Sequence, residues 1–326
     1  MNLQTVIEEI QALLSSQEAT LRLYPVLEKQ DGTEEIKLAD VNDDASTELK
    51  DMLLGYLRSK FVDNEDLYFT SLSEADDRKN AAYVYDLEEM PSTLKILGEV
   101  LANSARPGFS FDTDDINNIT GFVILIGDVH HSVTLYKRHH HLSTMKADRS
   151  FSLFKANNRF VKVKEDILRL SASVDFLQVG DALVATNLKA LEDTFGFEDV
   201  IRRQANANIQ LIEAMNLLED VAPLVEMVND IKLAKKILRI KTNSPVMQLP
   251  MATVIDFVSK HKPIMKKFRL SEDGTRLRLD TKISKKLFLA LMNDDFLTSE
   301  LTKLYYAGLS KDKMEVEIEE EHSTVS

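Results

Sequence analysis

The chain has 326 residues, with 40 Lys and Arg against 53 Asp and Glu, giving a formal charge of −13. That excess of acid excludes a uniformly basic coat, because a negative summed field repels polyanions. Cysteine is absent, which excludes disulfides, thiolate metal sites and thiol nucleophiles, while 44% hydrophobic residues are ample for a packed core.

Leu3, Val6, Ile7, Ile10, Leu13 and Leu14 recur at helical spacing, and Glu8 and Glu9 set this segment apart from a secretory signal. Leu21, Leu23 and Leu27 alternate as in a strand, and Pro25 predicts an edge position for it. A second helix is expected over 49–57 behind the cap candidates Ser46 and Thr47, and the polar stretch 64–80 reads as a loop. Strands are expected at 81–87, 121–126, 132–138, 159–164, 174–179 and 182–186, with a helix over 93–102. Gly180 and Asp181 give a two-residue hairpin turn.

After residue 196 the period becomes helical, over 200–218, 223–240 and 251–262, the last stopped by Pro263. A hairpin around Asp273 and Gly274 follows, then helices over 283–292 and 298–306. These elements predict an α+β protein: a mainly antiparallel sheet domain over 1–196 with an acidic N-terminal part, a mostly helical basic domain over 197–312, and an acidic tail over 313–326. The longest apolar runs, such as 122–126, fall far short of the roughly 20 residues that cross a bilayer. A cytoplasmic protein without direct membrane insertion is therefore expected.

Charge is segregated along the chain. Residues 1–129 carry 26 acidic and 10 basic side chains, residues 130–164 eight basic against one acidic, and residues 231–290 fifteen basic against four acidic. Lys232, Lys235, Lys236 and Arg239 stand at i, i+3, i+4 and i+7 and share one helical face. Lys262, Lys266 and Lys267 follow, and Arg276 and Arg278 alternate with Leu277 and Leu279 on one strand face. Lys282, Lys285 and Lys286 open the next helix, where cations oppose the dipole and an external anion would relieve them. One such stripe is most simply a solvated face, but no acid interrupts residues 231–248. The block either docks on the acidic part of its own chain or a twin, as a scaffold would, or it binds a polyanion. On the second reading the nine cations named from Lys232 to Arg278 contact DNA phosphates.

Candidate catalytic groups are weaker. His130, His131, His139, His140 and His141 cluster, yet strand alternation lets only His139 and His141 meet, and no third ligand has zinc spacing. Asp112, Asp114 and Asp115 could hold Mg²⁺ for a nuclease, although their Asp- and Asn-rich surroundings read as a turn. A restriction-type core would need an acid beside a Glu-x-Lys strand, and the triplet Glu35, Ile36 and Lys37 has no evident partner. Without a phosphate-cradling glycine loop or a nucleophile elbow, no catalytic residue, metal or cofactor is predicted.

Three stretches are distinctive in combination. Gly121-Phe122-Val123-Ile124-Leu125-Ile126 leads to Leu135-Tyr136-Lys137-Arg138-His139. Val184-Ala185-Thr186-Asn187-Leu188-Lys189-Ala190-Leu191-Glu192-Asp193-Thr194-Phe195 follows, and then Phe296-Leu297-Thr298-Ser299-Glu300-Leu301-Thr302 with Tyr305. In this order and spacing the chain resembles the KwaB component of the Kiwa anti-phage defence system, from about residue 81 to 306. The resemblance implies a bacterial, cytoplasmic DNA-binding effector that works with a multi-pass membrane partner, KwaA, through which any membrane association would come. A homo-oligomer is expected, and no catalytic residue carries over.

Overall fold

The computed structural model describes residues 2–75, 78–91, 94–103, 105–139, 143–145, 153–156, 159–162, 166–241, 244–298 and 305–307. The expected acidic tail, His140, His141 and Lys164 lie outside the described residues. The chain is α+β, and it divides into two compact units between Gln204 and Ala205.

The first unit is built on an eight-stranded, almost wholly antiparallel sheet. Helix α1 (Leu3–Ser15), capped by Asn2, precedes β1 (Thr20–Glu28) and the short β2 (Glu34–Ile36). Helix α2 (Asp43–Leu57) follows, started by Asn42 several residues before the expected caps and continued by a π-helical turn, Arg58–Val62. The polar stretch expected to be a loop contains β3 (Tyr68–Ser71), which runs parallel to β4 (Ala81–Val84). The second of these strands is the one expected from residue 81, whereas β3 is too short, at four residues, to show a period of its own. Helix α3 (Lys95–Ala102) leads to β5 (Ile119–Gly127) and β6 (Ser132–Arg138). Strands β7 (Thr144–Met145) and β10 (Ile167–Leu168) pair with each other, as do β8 (Leu153–Ala156) and β9 (Arg159–Lys162). Strands β11 (Phe176–Val179) and β12 (Ala182–Ala185) form the expected hairpin, with Gly180 at φ +53 supplying the left-handed residue of its turn. The sheet order is β2-β1-β5-β6-β11-β12-β4-β3.

Pro25 therefore sits in an inner strand, against expectation. Strand β2 ends at Ile36 opposite Val26, so Pro25 faces beyond its end, where only the Pro25 carbonyl is needed, to accept the Lys37 N–H. The missing donor costs no ladder bond there. On one face of the sheet Leu21, Leu23, Phe122, Ile124, Ile126, Val133, Leu135 and Leu177 pack with Val6, Ile10 and Leu13 of α1 and Leu53, Leu54 and Leu57 of α2. On the other, the register aligns Tyr24, Val123, Tyr136 and Phe176. Phe195, which caps α4 (Leu188–Thr194), packs edge-on against Tyr136 and Phe176, and Gly196 at φ +62 turns the chain into α5 (Phe197–Ala214).

The second unit is mostly helical. The single helix expected over 223–240 is two: α6 (Ala222–Met227) and α7 (Ile231–Leu238), separated where Asp230 caps the second. Helix α8 (Met251–Lys260) ends before Pro263 as expected, and a hairpin pairs β13 (Arg269–Leu270) with β14 (Leu277–Arg278) around Gly274 at φ +73. Helix α9 (Lys282–Met292) carries a Thr281 and Ser284 capping box. The helix expected over 298–306 is contradicted at both ends, which lie in the antiparallel strands β15 (Phe296–Thr298) and β16 (Tyr305–Ala307). Phe296, Tyr305 and Tyr306 are residues that favour strands once a partner strand is present.

Candidate nucleic-acid interface

The predicted cations fall in three places in the second unit. On α7, Ala234, Ile237 and Leu238 are buried, which turns Lys232, Lys235, Lys236 and Arg239 to the opposite side. Lys232 is exposed and the other three are half-buried. The Asp230 carboxylate starts the helix by accepting the Lys232 N–H at 2.9 Å. At the other end, the buried Asn208 amide of α5 donates to the Ile237 and Leu238 carbonyls at 3.3 and 2.9 Å, and Asn293 donates to the Lys236 carbonyl at 3.0 Å. Lys235 and Lys236 in this last turn also complement the negative end of the helix dipole.

The second group lies in the turns after α8. Ile264 and Phe268 are buried, and Lys262, Lys266 and Lys267 are exposed around them, Lys266 in the left-handed region at φ +67. Among the described residues Lys232, Lys262, Lys266 and Lys267 make no ion pair.

The third group is the β13–β14 hairpin. Leu277 and Leu279 point inward, leaving Arg276 half-buried and Arg278 exposed, with Arg269 directly opposite Arg278 in register. Two of these guanidinium groups are already paired within the unit. Arg278 lies 3.0 Å from Glu219 and 3.5 Å from Asp280, and Arg269 lies 3.7 Å from the same aspartate. Lys285 is likewise paired with Glu226 at 3.1 Å, so the cations at the start of α9 are partly relieved from within. Glu219 and Glu226 come from outside the basic segment, and nothing in linear spacing announces partners 59 residues apart.

The carboxylate cluster of the first unit is occupied in holding the chain together. Asp114 contacts Lys37 at 2.5 Å and accepts the Ser110 N–H at 2.9 Å. Burial alone would raise the Asp114 carboxyl, but Lys37 and the Ser110 amide hold it below its usual value. Asp115 accepts the Asn117 N–H and begins a single 3₁₀ turn. The triplet lysine thus does have an acid partner, yet no group of three or more acids and histidines among the described residues is arranged to hold a metal ion. His139 is buried and meets the Phe122 ring edge-on, as a core residue does. A cleft of about 410 Å³ beside the β5–β6 turn is lined by Glu18, Arg22 and Asp128 among others, two carboxylates against one guanidinium, and does not favour a polyanion.

Two of the distinctive stretches meet at Asp175. Its carboxylate accepts the Arg138 N–H at 2.7 Å and the Asn187 side-chain amide at 2.7 Å, while its own N–H donates to the Tyr136 carbonyl. Arg138 also faces Asp193 at 3.8 Å. The first stretch opens on Gly121 because the Tyr136 ring occupies the space of a side chain there; a Cβ would stand 2.5 Å from the tyrosine oxygen. The third stretch enters β15 and β16, with Ser299, Glu300, Leu301 and Thr302 outside the described residues.

No helix among the described residues is long and apolar enough to cross a membrane. No solved structure matches the chain. A protein described as Kiwa protein KwaB, from Escherichia coli O55:H7 (strain RM12579 / EPEC), is 30% identical over 285 residues, covering 86% of this chain and 90% of that protein. The family model for Kiwa protein KwaB-like proteins matches residues 116–302, the span that holds the three stretches except for Tyr305. Matched over more than half its length by the model and over most of it by the relative, the chain belongs to the KwaB family.

Proposed function

We propose that this protein is a DNA-binding effector of a Kiwa anti-phage defence system, acting in the cytoplasm as a homo-oligomer beside the membrane protein KwaA. The observation that carries the reading is the set of exposed lysines Lys232, Lys262, Lys266 and Lys267, without ion pairs among the described residues, inside a segment with fifteen basic and four acidic side chains. These groups stand out on a chain whose net charge is −13, and phosphate is the anion that fits them. Lys235, Lys236, Arg239 and Arg276 flank them as secondary contacts, and Arg278 reaches phosphate only by leaving Glu219 and Asp280. The carboxylate geometry gives no support to the nuclease alternative, since Asp114 and Asp115 are engaged internally. Membership of the KwaB family supports the association with KwaA.

Gel-shift titration against duplex DNA tests the reading. The double variant Lys266→Glu and Lys267→Glu is expected to bind at least tenfold more weakly than wild type, with an unchanged melting temperature. A companion reversal of Lys235 and Lys236 should weaken binding less. Wild-type mobility shifts for both variants would refute the assignment.

A further inference from the structure

Near the end of α8, Phe257 and His261 stand one helical turn apart with their rings stacked, centroids 4.6 Å apart and planes 22° from parallel. Phe296 of β15 closes on both, at 6.3 Å from Phe257 and 5.6 Å from His261. Val254 and Val258 form the buried stripe of the helix, so Phe257 lies on its rim and keeps 38% of its surface in water. Burial lowers the basicity of His261 below that of a free imidazole. Exposed Lys260 and Lys262 bracket the stack. Lys260 is 2.6 Å from Asp256, a surface pair of the kind worth little, which a phosphate can replace.

We propose that Phe257, backed by His261 and Phe296, is a stacking platform for an unpaired base, and that Lys260 and Lys262 hold the neighbouring phosphates. The ligand is single-stranded DNA, as a duplex keeps its base faces covered. A partly exposed aromatic ring on a cationic surface is the arrangement by which proteins grip single strands without reading sequence. Leaving the ring exposed has a cost in apolar surface that a stacked base removes. This inference rests on the DNA-binding reading above and adds the form of DNA to it.

The chain contains no tryptophan, so Phe257→Trp installs a single fluorescent reporter at the platform. Titrating that variant with an oligo-dT strand should quench its emission as the indole stacks, whereas a duplex of equal length should bind without comparable quenching. Anisotropy with labelled strands supplies the second readout: Phe257→Ala should weaken oligo-dT binding roughly tenfold while leaving duplex affinity unchanged, with Phe257→Trp restoring it. Binding of oligo-dT without quenching, or Phe257→Ala affecting both DNA forms equally or neither, would overturn the platform alone. Failure of the wild-type protein to bind either form would overturn the DNA-binding reading and the platform with it.

Discussion

Glu9 closes the turn between β5 and β6 from α1: one carboxylate oxygen lies 2.9 Å from His131 Nδ1 and the other accepts the Ser132 N–H at 2.8 Å. Asp128 completes the turn by accepting the Ser16 hydroxyl and the His130 and His131 N–H groups. The Glu9 hydrogen bond raises His131 above the usual histidine value. The protonated pair therefore stabilises the fold fully below the unfolded value of about 6.5, and its contribution disappears as pH rises through the raised folded value. The melting-temperature gap between wild type and His131→Gln is expected to be wider at pH 6 than at pH 9, and an equal gap at both would contradict this role. Asp128 has the opposite sense. The Ser16 hydroxyl and the turn amides hold its carboxyl down at about 2, so its contribution is present above the ordinary carboxylate range and is lost only as pH falls towards that value.

Among the elements, α7 depends most on its neighbours. Eight residues are too few for a helix to be stable alone, and near its end the Leu238 and Lys236 carbonyls are answered by Asn208 and Asn293. Asn208 is 5% exposed, so water cannot take over its bonds to Ile237 and Leu238. Replacing it with Ala should cost about 1–3 kcal/mol, the penalty for a buried polar group left unsatisfied. Urea unfolding would show this as a lower midpoint; a midpoint within error of wild type would mean that the carbonyls find other partners. The loss should also loosen the presentation of Lys235, Lys236 and Arg239, because the same three residues sit on the turn that Asn208 and Asn293 fix.

For the whole molecule, the charge of −13 and the basic block make opposite demands on a polyanion. Only contacts at close range escape the repulsion of the acidic remainder, since at 0.15 M salt charges beyond about 8 Å are largely screened. Duplex affinity should consequently fall steeply with salt. If the four exposed lysines each meet one phosphate, the slope of log affinity against log salt is expected to be about −4, and reversing one of them should reduce it by about one. Anisotropy titrations between 50 and 200 mM salt measure this directly, and a flat response would exclude phosphate neutralisation as the source of binding.

The sequence by itself determined the features that depend on neighbours within a few residues. Helical spacing marked α1, α8 and α9, a glycine turn marked the β11–β12 hairpin, and the alternation of Arg276, Leu277, Arg278 and Leu279 marked an inward apolar and outward basic strand. Three short stretches, in their order and spacing, were enough to suggest the family. The tertiary structure decided what depends on partners distant in the chain. Pro25 is inside the sheet because β2 happens to stop beside it, β3 is a strand because β4 accepts it, and 296–307 is a hairpin because its two ends pair. Of the nine predicted cations, Arg278 is committed to Glu219 and Asp280, while Lys232, Lys262, Lys266 and Lys267 remain turned to water. Local periodicity fixes which way a side chain points, but whether its charge is already answered is settled by Coulombic neighbours that only folding brings near.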